Sequence, residues 1–278
     1  MSNNKYILIS VVLVVTFLLL LYIRTFVWLV DSWLGDPAYS HGFLVPLISG
    51  LIVWKKRREL HKEPFSAGLI VLASGLLVYV ISFFWRAQFG LAISFLIVLS
   101  GLILYLYGRE AMRSLLFPVC FLVFGIPLPF LPSIASFLQS FSARYSSLVI
   151  GMMGIPVTTI GAEIHLEKDI FVIGAPCSGM HTLIALLALA AVFAYFIKCP
   201  FYRKAILFFA ALPIALFANV SRLVALLLIA NYYGSKAAMR FFHDYSSIVL
   251  FAIAFLLLAV CSRCLGCGAK LTNSSVRL

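Results

Sequence analysis

Eight stretches of the chain are almost entirely apolar, at about 6–30, 41–54, 67–84, 88–107, 113–131, 178–197, 205–230 and 245–262, with short polar or basic runs between them. Crossing a hydrocarbon core of roughly 30 Å takes about 20 residues of helix, so the pattern predicts membrane-spanning helices. The second stretch is short and suits a tilted or partly re-entrant span. The first is too long for a signal peptide and lacks a small-residue cleavage site before Asp31, so it reads as a retained helix. The expected fold is an all-α polytopic membrane protein of about eight transmembrane helices, forming a single integral membrane domain over residues 1–278.

The one sizeable region outside the apolar stretches runs from Pro132 to Pro176, and it has two parts. Ser133 to Met153 mixes Phe137, Phe141, Leu148 and Ile150 with Ser136, Gln139, Ser140 and Arg144, the composition of an interfacial helix or of a ninth, half-buried one. Val157 to Ile173 places two β-branched runs around a charged turn, which predicts a short outer-face hairpin. That hairpin leads directly into Cys177.

Composition agrees with the pattern: of 278 residues 64% are hydrophobic and 11% charged, against about 25% charged in soluble domains, and the mean hydropathy is +1.11. The net charge of +12 is a topology signal rather than a mark of a nucleic-acid partner. With the N-terminus inside, fourteen basic residues fall on inner segments, Lys55, Lys56, Arg57 and Arg58 among them. Outer segments hold five (Arg86, Arg144, Lys168, Lys236 and Arg240), together with six of the nine acids. This positive-inside bias places both termini in the cytoplasm.

Three residues carry candidate chemistry. Cys177, in Pro176-Cys177-Ser178-Gly179, stands where a polar stretch meets the sixth apolar segment on the outer side. The positive end of a helix lowers a thiol pKa and favours the nucleophilic thiolate; the alternative is a small buried residue at a helix cap. Arg222 interrupts the seventh segment with Asn219 one turn before it. A charge there costs about 2.5–3.5 kcal/mol on insertion scales and marks function unless the side chain snorkels to headgroups. His243 lies at the outer mouth of the last segment, where an imidazole can serve as general base. His41, His165 and His181 compete with it. Arg24, in the first segment, has no anionic partner nearby in sequence and suits a structural or lipid-headgroup role. Among the six cysteines, Cys120 and Cys199 read as packing residues. Cys261, Cys264 and Cys267 read as cytoplasmic thiols that lack a fourth ligand for a metal, so neither metal nor cofactor is expected.

Four ordered motifs give the chain a resemblance to the exosortase/archaeosortase family of membrane-embedded cysteine transpeptidases: Asp36-Pro37-Ala38-Tyr39-Ser40-His41-Gly42-Phe43-Leu44-Val45-Pro46, Ala175-Pro176-Cys177-Ser178-Gly179, Asn219-Val220-Ser221-Arg222 and Phe242-His243-Asp244. The resemblance spans nearly the whole chain. His243 favours the bacterial exosortase branch, since the archaeal branch has a second arginine there. It implies a Cys177, Arg222 and His243 catalytic set in the cytoplasmic (inner) membrane, with the active site on the periplasmic face. The implied substrates are exported proteins whose C-terminal signal (PEP-CTERM) joins a Pro-Glu-Pro-type motif, a transmembrane helix and a basic cluster. Membrane lipids and a lipid- or glycan-linked acceptor are implied partners. The rival readings are a multi-span transporter, which would use Arg222 and Asn219 to bind an anion, and a catalytically silent assembly factor for exopolysaccharide export.

Overall fold

A computed structural model describes residues 2–60, 63–166, 169–174, 179–241 and 247–267. The chain divides into two compact units, Met1–Pro129 and Phe130–Leu278, and each of the eight apolar stretches is largely helical where described, the fifth leaving its helix after Gly125.

The first unit holds α1 (Ser2–Gly35), a 3₁₀ turn (Pro37–Phe43), α2 (Leu44–Lys56), α3 (Gly68–Phe84), α4 (Gln88–Phe121) and a second 3₁₀ turn (Leu122–Gly125). α4 is two helices in series, because Gly108 breaks it with φ 84° and ψ −170°. A side chain at Gly108 would strike the Glu63 carbonyl oxygen, and the Glu63 N–H donates to the Tyr107 carbonyl at 3.3 Å. The break matches the separation expected between the stretches 88–107 and 113–131. α3 and the first half of α4 pack backbone to backbone. A Cβ at Gly68 would meet the Tyr105 main chain, one at Gly101 the Leu72 main chain, and one at Gly75 the Val98 nitrogen at 2.8 Å. Small residues hold helices together in lipid because apolar side chains gain little by leaving an equally apolar solvent.

The Asp36–Phe43 motif builds a knot within this unit. Asp36 accepts from the Ala38 N–H at 2.8 Å, capping the 3₁₀ turn. Tyr39 is buried and its hydroxyl accepts from the Leu128 N–H at 2.7 Å. Trp33 Nε1 donates to the Gly125 carbonyl at 2.7 Å, and Gly42 lies so close to the Trp33 ring that no side chain fits there. The His41 ring reaches the Phe124 carbonyl at 3.3 Å. These bonds satisfy backbone groups freed where the helices end, which an apolar medium would otherwise leave at a cost of several kcal/mol each.

The second unit holds α5 (Leu131–Met152), three strands, α6 (Met180–Phe196), α7 (Phe201–Tyr233), α8 (Ser235–Phe241) and α9 (Ser247–Cys264). α7 is its axis, packed by α5, α6, α8 and α9. Among the described residues four helical segments are long and apolar enough to cross a membrane: Thr16–Gly35, Pro37–Lys56, Gln88–Gly125 (which includes the break at Gly108) and Phe201–Tyr233. Gly68–Phe84, Met180–Phe196 and Phe251–Cys264 are apolar but shorter.

Two expectations need revision, the hairpin and the reading of Cys199 and Cys267, and the packing of α5 adds a detail. The hairpin is a three-stranded antiparallel meander, β1 (Val157–Ile160), β2 (Glu163–Leu166) and β3 (Ile170–Val172). Gly161, at φ 62°, turns the chain inside what reads as one run, because only two residues link the paired Ile160 and Glu163. The face of α5 that packs is not the aromatic one. Leu138, Ser142, Ala143, Ser146, Ser147 and Ile150 are buried, whereas Phe137, Tyr145 and Leu148 point outward. Lastly, Cys199 pairs with Cys267 as a disulfide, their Cα atoms 5.5 Å apart. Neither is therefore the isolated packing residue or free thiol expected. In a reducing cytoplasm the same geometry would hold two thiols in contact.

The glycine packing yields a stability prediction. Gly101→Leu should destabilise the protein by about 3 kcal/mol or more, since overpacking costs 1–3 kcal/mol even where side chains can yield, and here the obstacle is the Leu72 backbone. Gly50 faces open space, so Gly50→Leu should change stability by no more than about 0.5 kcal/mol. The midpoint of thermal unfolding in detergent checks both.

Candidate active site

α7 buries one stripe along its length: Leu207, Ala211, Ala215, Ala218, Asn219, Arg222, Leu223, Leu226, Leu227 and Ala230. Steps of three and four keep these residues on one face, and the two polar members lie in its middle. Arg222 is 5% exposed and Asn219 4%. The snorkelling reading of Arg222 therefore fails, because its side chain is inside the packed unit and not out among headgroups.

The buried face of α5 supplies polar company. The Asn219 amide donates to Ser142 Oγ at 2.8 Å, and Ser146 Oγ donates to the Ser142 carbonyl at 2.6 Å. Ser142, Ser146 and Ser147 are all buried. Small hydroxyl residues let two helix backbones approach and bond side chains across the gap. This seam was not identified from the sequence. The signal for it was the serine spacing 142, 146, one turn apart, within a segment whose aromatic residues suggested an interfacial helix.

The chain approaches this seam from two directions. Along one, Ile164, Phe171 and Ile173 of the meander share a buried cluster with Ala143 and Ile150 of α5 and with Leu223, Leu226, Leu227 and Ala230, the turns of α7 that follow Arg222. Along the other, α6 begins at Met180 with Gly179 as its N-cap, at φ 77° and ψ 1°. The Gly179 Cα presses on Asn219: a Cβ there would lie 2.6 Å from Asn219 Cγ and 3.0 Å from Nδ2. Positive φ and close approach both require glycine at this position. Gly179 is thus held against α7 at Asn219, three residues before Arg222.

Cys177 and His243 lie outside the described residues, as does Asp244. The competing histidines are described. His165 is on β2, with its Nε2 3.3 Å from Glu163 Oε2. His41 belongs to the knot of the first unit. His181 is the second residue of α6, half-buried, one turn beyond the cap. Arg24 is an exposed side chain on α1 of the first unit. Among the described residues no cluster of histidine, cysteine or carboxylate side chains could hold a metal.

A family model for transmembrane exosortases matches residues 33–260, most of the chain, and the chain belongs to that family. No curated protein and no solved structure gives a significant match.

The Gly179–Asn219 contact predicts coupling between the two sites. Gly179→Ala should cost at least about 2 kcal/mol, from the left-handed backbone, at 1–2 kcal/mol, and from the clash. Asn219→Ala removes two of the three atoms in the way, so the double variant should be less destabilised than the sum of the singles, by roughly 0.5–3 kcal/mol as for residues in contact. A double-mutant cycle on thermal unfolding measures it; strict additivity would mean that the two residues do not touch.

Proposed function

We propose that this member of the exosortase family is a cysteine protease/transpeptidase that cleaves the C-terminal sorting signal of exported proteins at the outer face of the cytoplasmic membrane. The observation that carries the proposal is the buried Asn219–Arg222 seam with Gly179 pressed upon it. Only Ser178 separates Cys177 from Gly179 in the sequence, and consecutive Cα atoms are about 3.8 Å apart, which supports assigning the thiol and the guanidinium to one site.

In this reading the Cys177 thiolate attacks a peptide carbonyl near the start of the substrate's transmembrane helix. The sulfur–carbon bond forms, and the carbonyl oxygen takes up the negative charge. Arg222 is charged at all relevant pH values and presents a planar fork of N–H donors. Held away from water, it interacts with that oxyanion far more strongly than an exposed cation would. Collapse of the tetrahedral intermediate breaks the carbon–nitrogen bond, and His243 returns the thiol's proton to the leaving amine. A second nucleophile then resolves the thioester: water gives hydrolysis, and an amine on a lipid- or glycan-linked acceptor gives transpeptidation. Asn219 positions the segment through Gly179 and need not touch substrate. A transporter using Arg222 as an anion site would have no requirement for the thiol at residue 177.

Two measurements test the assignment. With Cys177→Ala setting the zero of substrate processing, Arg222→Lys should insert at normal abundance yet lose on the order of 10²-fold in turnover, the cost of removing an oxyanion donor. Near-normal turnover would reduce Arg222 to a charge anchor. For the base, the alkylation rate of Cys177 against pH should shift in His243→Ala and stay unchanged in His41→Ala. A shift confined to His181→Ala, with normal processing by His243→Ala, would transfer the role to His181.

A further inference from the structure

The first unit contains a cavity of about 490 Å³ that the proposed chemistry does not use. Arg24 of α1 and Arg86 of the α3–α4 turn both line it, beside Thr25, Gln88, Phe83 and Phe84. No carboxylate lines it, and among the described residues neither arginine forms an ion pair. It lies at the end of the unit where α3 gives way to α4, whereas Lys56 meets Ser114 just past the Gly108 break, beyond the other end of α4's first half. The positive-inside pattern makes the cavity's end the outer one.

Two arginines line one largely apolar cavity with no carboxylate among its lining residues to supply a counter-charge. Arg24 is also an exposed residue within the candidate span Thr16–Gly35, where an uncompensated cation is costly. Arg86 brings an independent sign. It is the one non-glycine residue with positive φ among those described, at 52°. Such a backbone conformation is unfavourable for a side chain with a Cβ and tends to mark functional positions. Glycine would suit the turn better, yet the residue there is an arginine lining the cavity.

From this we propose that the cavity binds the phosphate of an anionic phospholipid, with Arg24 and Arg86 as the ligands. Guanidinium groups match phosphate oxygens through paired N–H donors, and the volume lies in the range of ligand pockets. Phe83 and Phe84 border the headgroup site with a surface suited to acyl chains. The site belongs to the first unit alone and does not depend on the role given to Cys177.

The test uses the full chain, delipidated in neutral detergent, with phosphatidylglycerol, phosphatidylcholine and inorganic phosphate as probes and native mass spectrometry as the readout. Phosphatidylglycerol should bind at least tenfold more tightly than phosphatidylcholine, and inorganic phosphate alone should not be retained. Arg24→Gln and Arg86→Gln should each weaken phosphatidylglycerol binding at least tenfold. Arg86→Gly separates ligand loss from misfolding: it relieves the backbone, so its thermal midpoint should equal or exceed that of the parent while lipid binding falls by the same factor. Unchanged phosphatidylglycerol binding in the arginine variants would overturn the proposal. So would equal retention of the two lipids, or inorganic phosphate binding that accounts for the whole effect.

Discussion

Burying Arg222 is the constraint on which the second unit is organised. A guanidinium inside an apolar unit is costly without polar surroundings, and α5 packs serines on the same face of α7, one of them bonded to Asn219. That requirement explains why α5 turns its aromatic residues outward, against the habit of helices in water. It also explains why α7 lies at the centre, because a helix at the edge would leave Arg222 open to lipid. The meander shares a buried cluster with the turn of α7 that follows Arg222, and the Gly179 cap presses on Asn219 in the turn before it.

The first unit meets the demands of an apolar medium through backbone proximity. Gly68, Gly75 and Gly101 remove side chains where α3 meets α4, and Gly108 lets the chain reverse against Glu63. Where helices end, Trp33, Tyr39 and His41 use ring nitrogens and a hydroxyl to complete backbone hydrogen bonding. The Asp36–Phe43 motif has a structural task here, which gives its histidine work other than proton transfer.

The helices were legible because an apolar run of about 20 residues has few other uses, and even the break at Gly108 fell between two predicted stretches. Arg222 and Asn219 stood out because charge and amide are costly in such a run. The serines of α5 did not, since serine is common in interfacial and exposed positions alike and only the partner helix reveals which face packs. Gly161 was hidden for a similar reason: one glycine among β-branched residues leaves the strand count open until pairing is seen. The Cys199–Cys267 pair joins residues far apart in sequence, and no local pattern announces such a contact.

That pair has a topological consequence. Its members are 68 residues apart, and the ring they close contains Arg222 and His243 but leaves Cys177 outside. Oxidation would withdraw conformational freedom from the unfolded chain, worth about 4 kcal/mol for a ring of this size, and would do so only on the arginine and histidine side. A cut at the α7–α8 junction, near Gly234, would then leave the two flanking helices covalently joined. α6 would stay attached as well, because it ends at Phe196 and the chain runs on directly to Cys199.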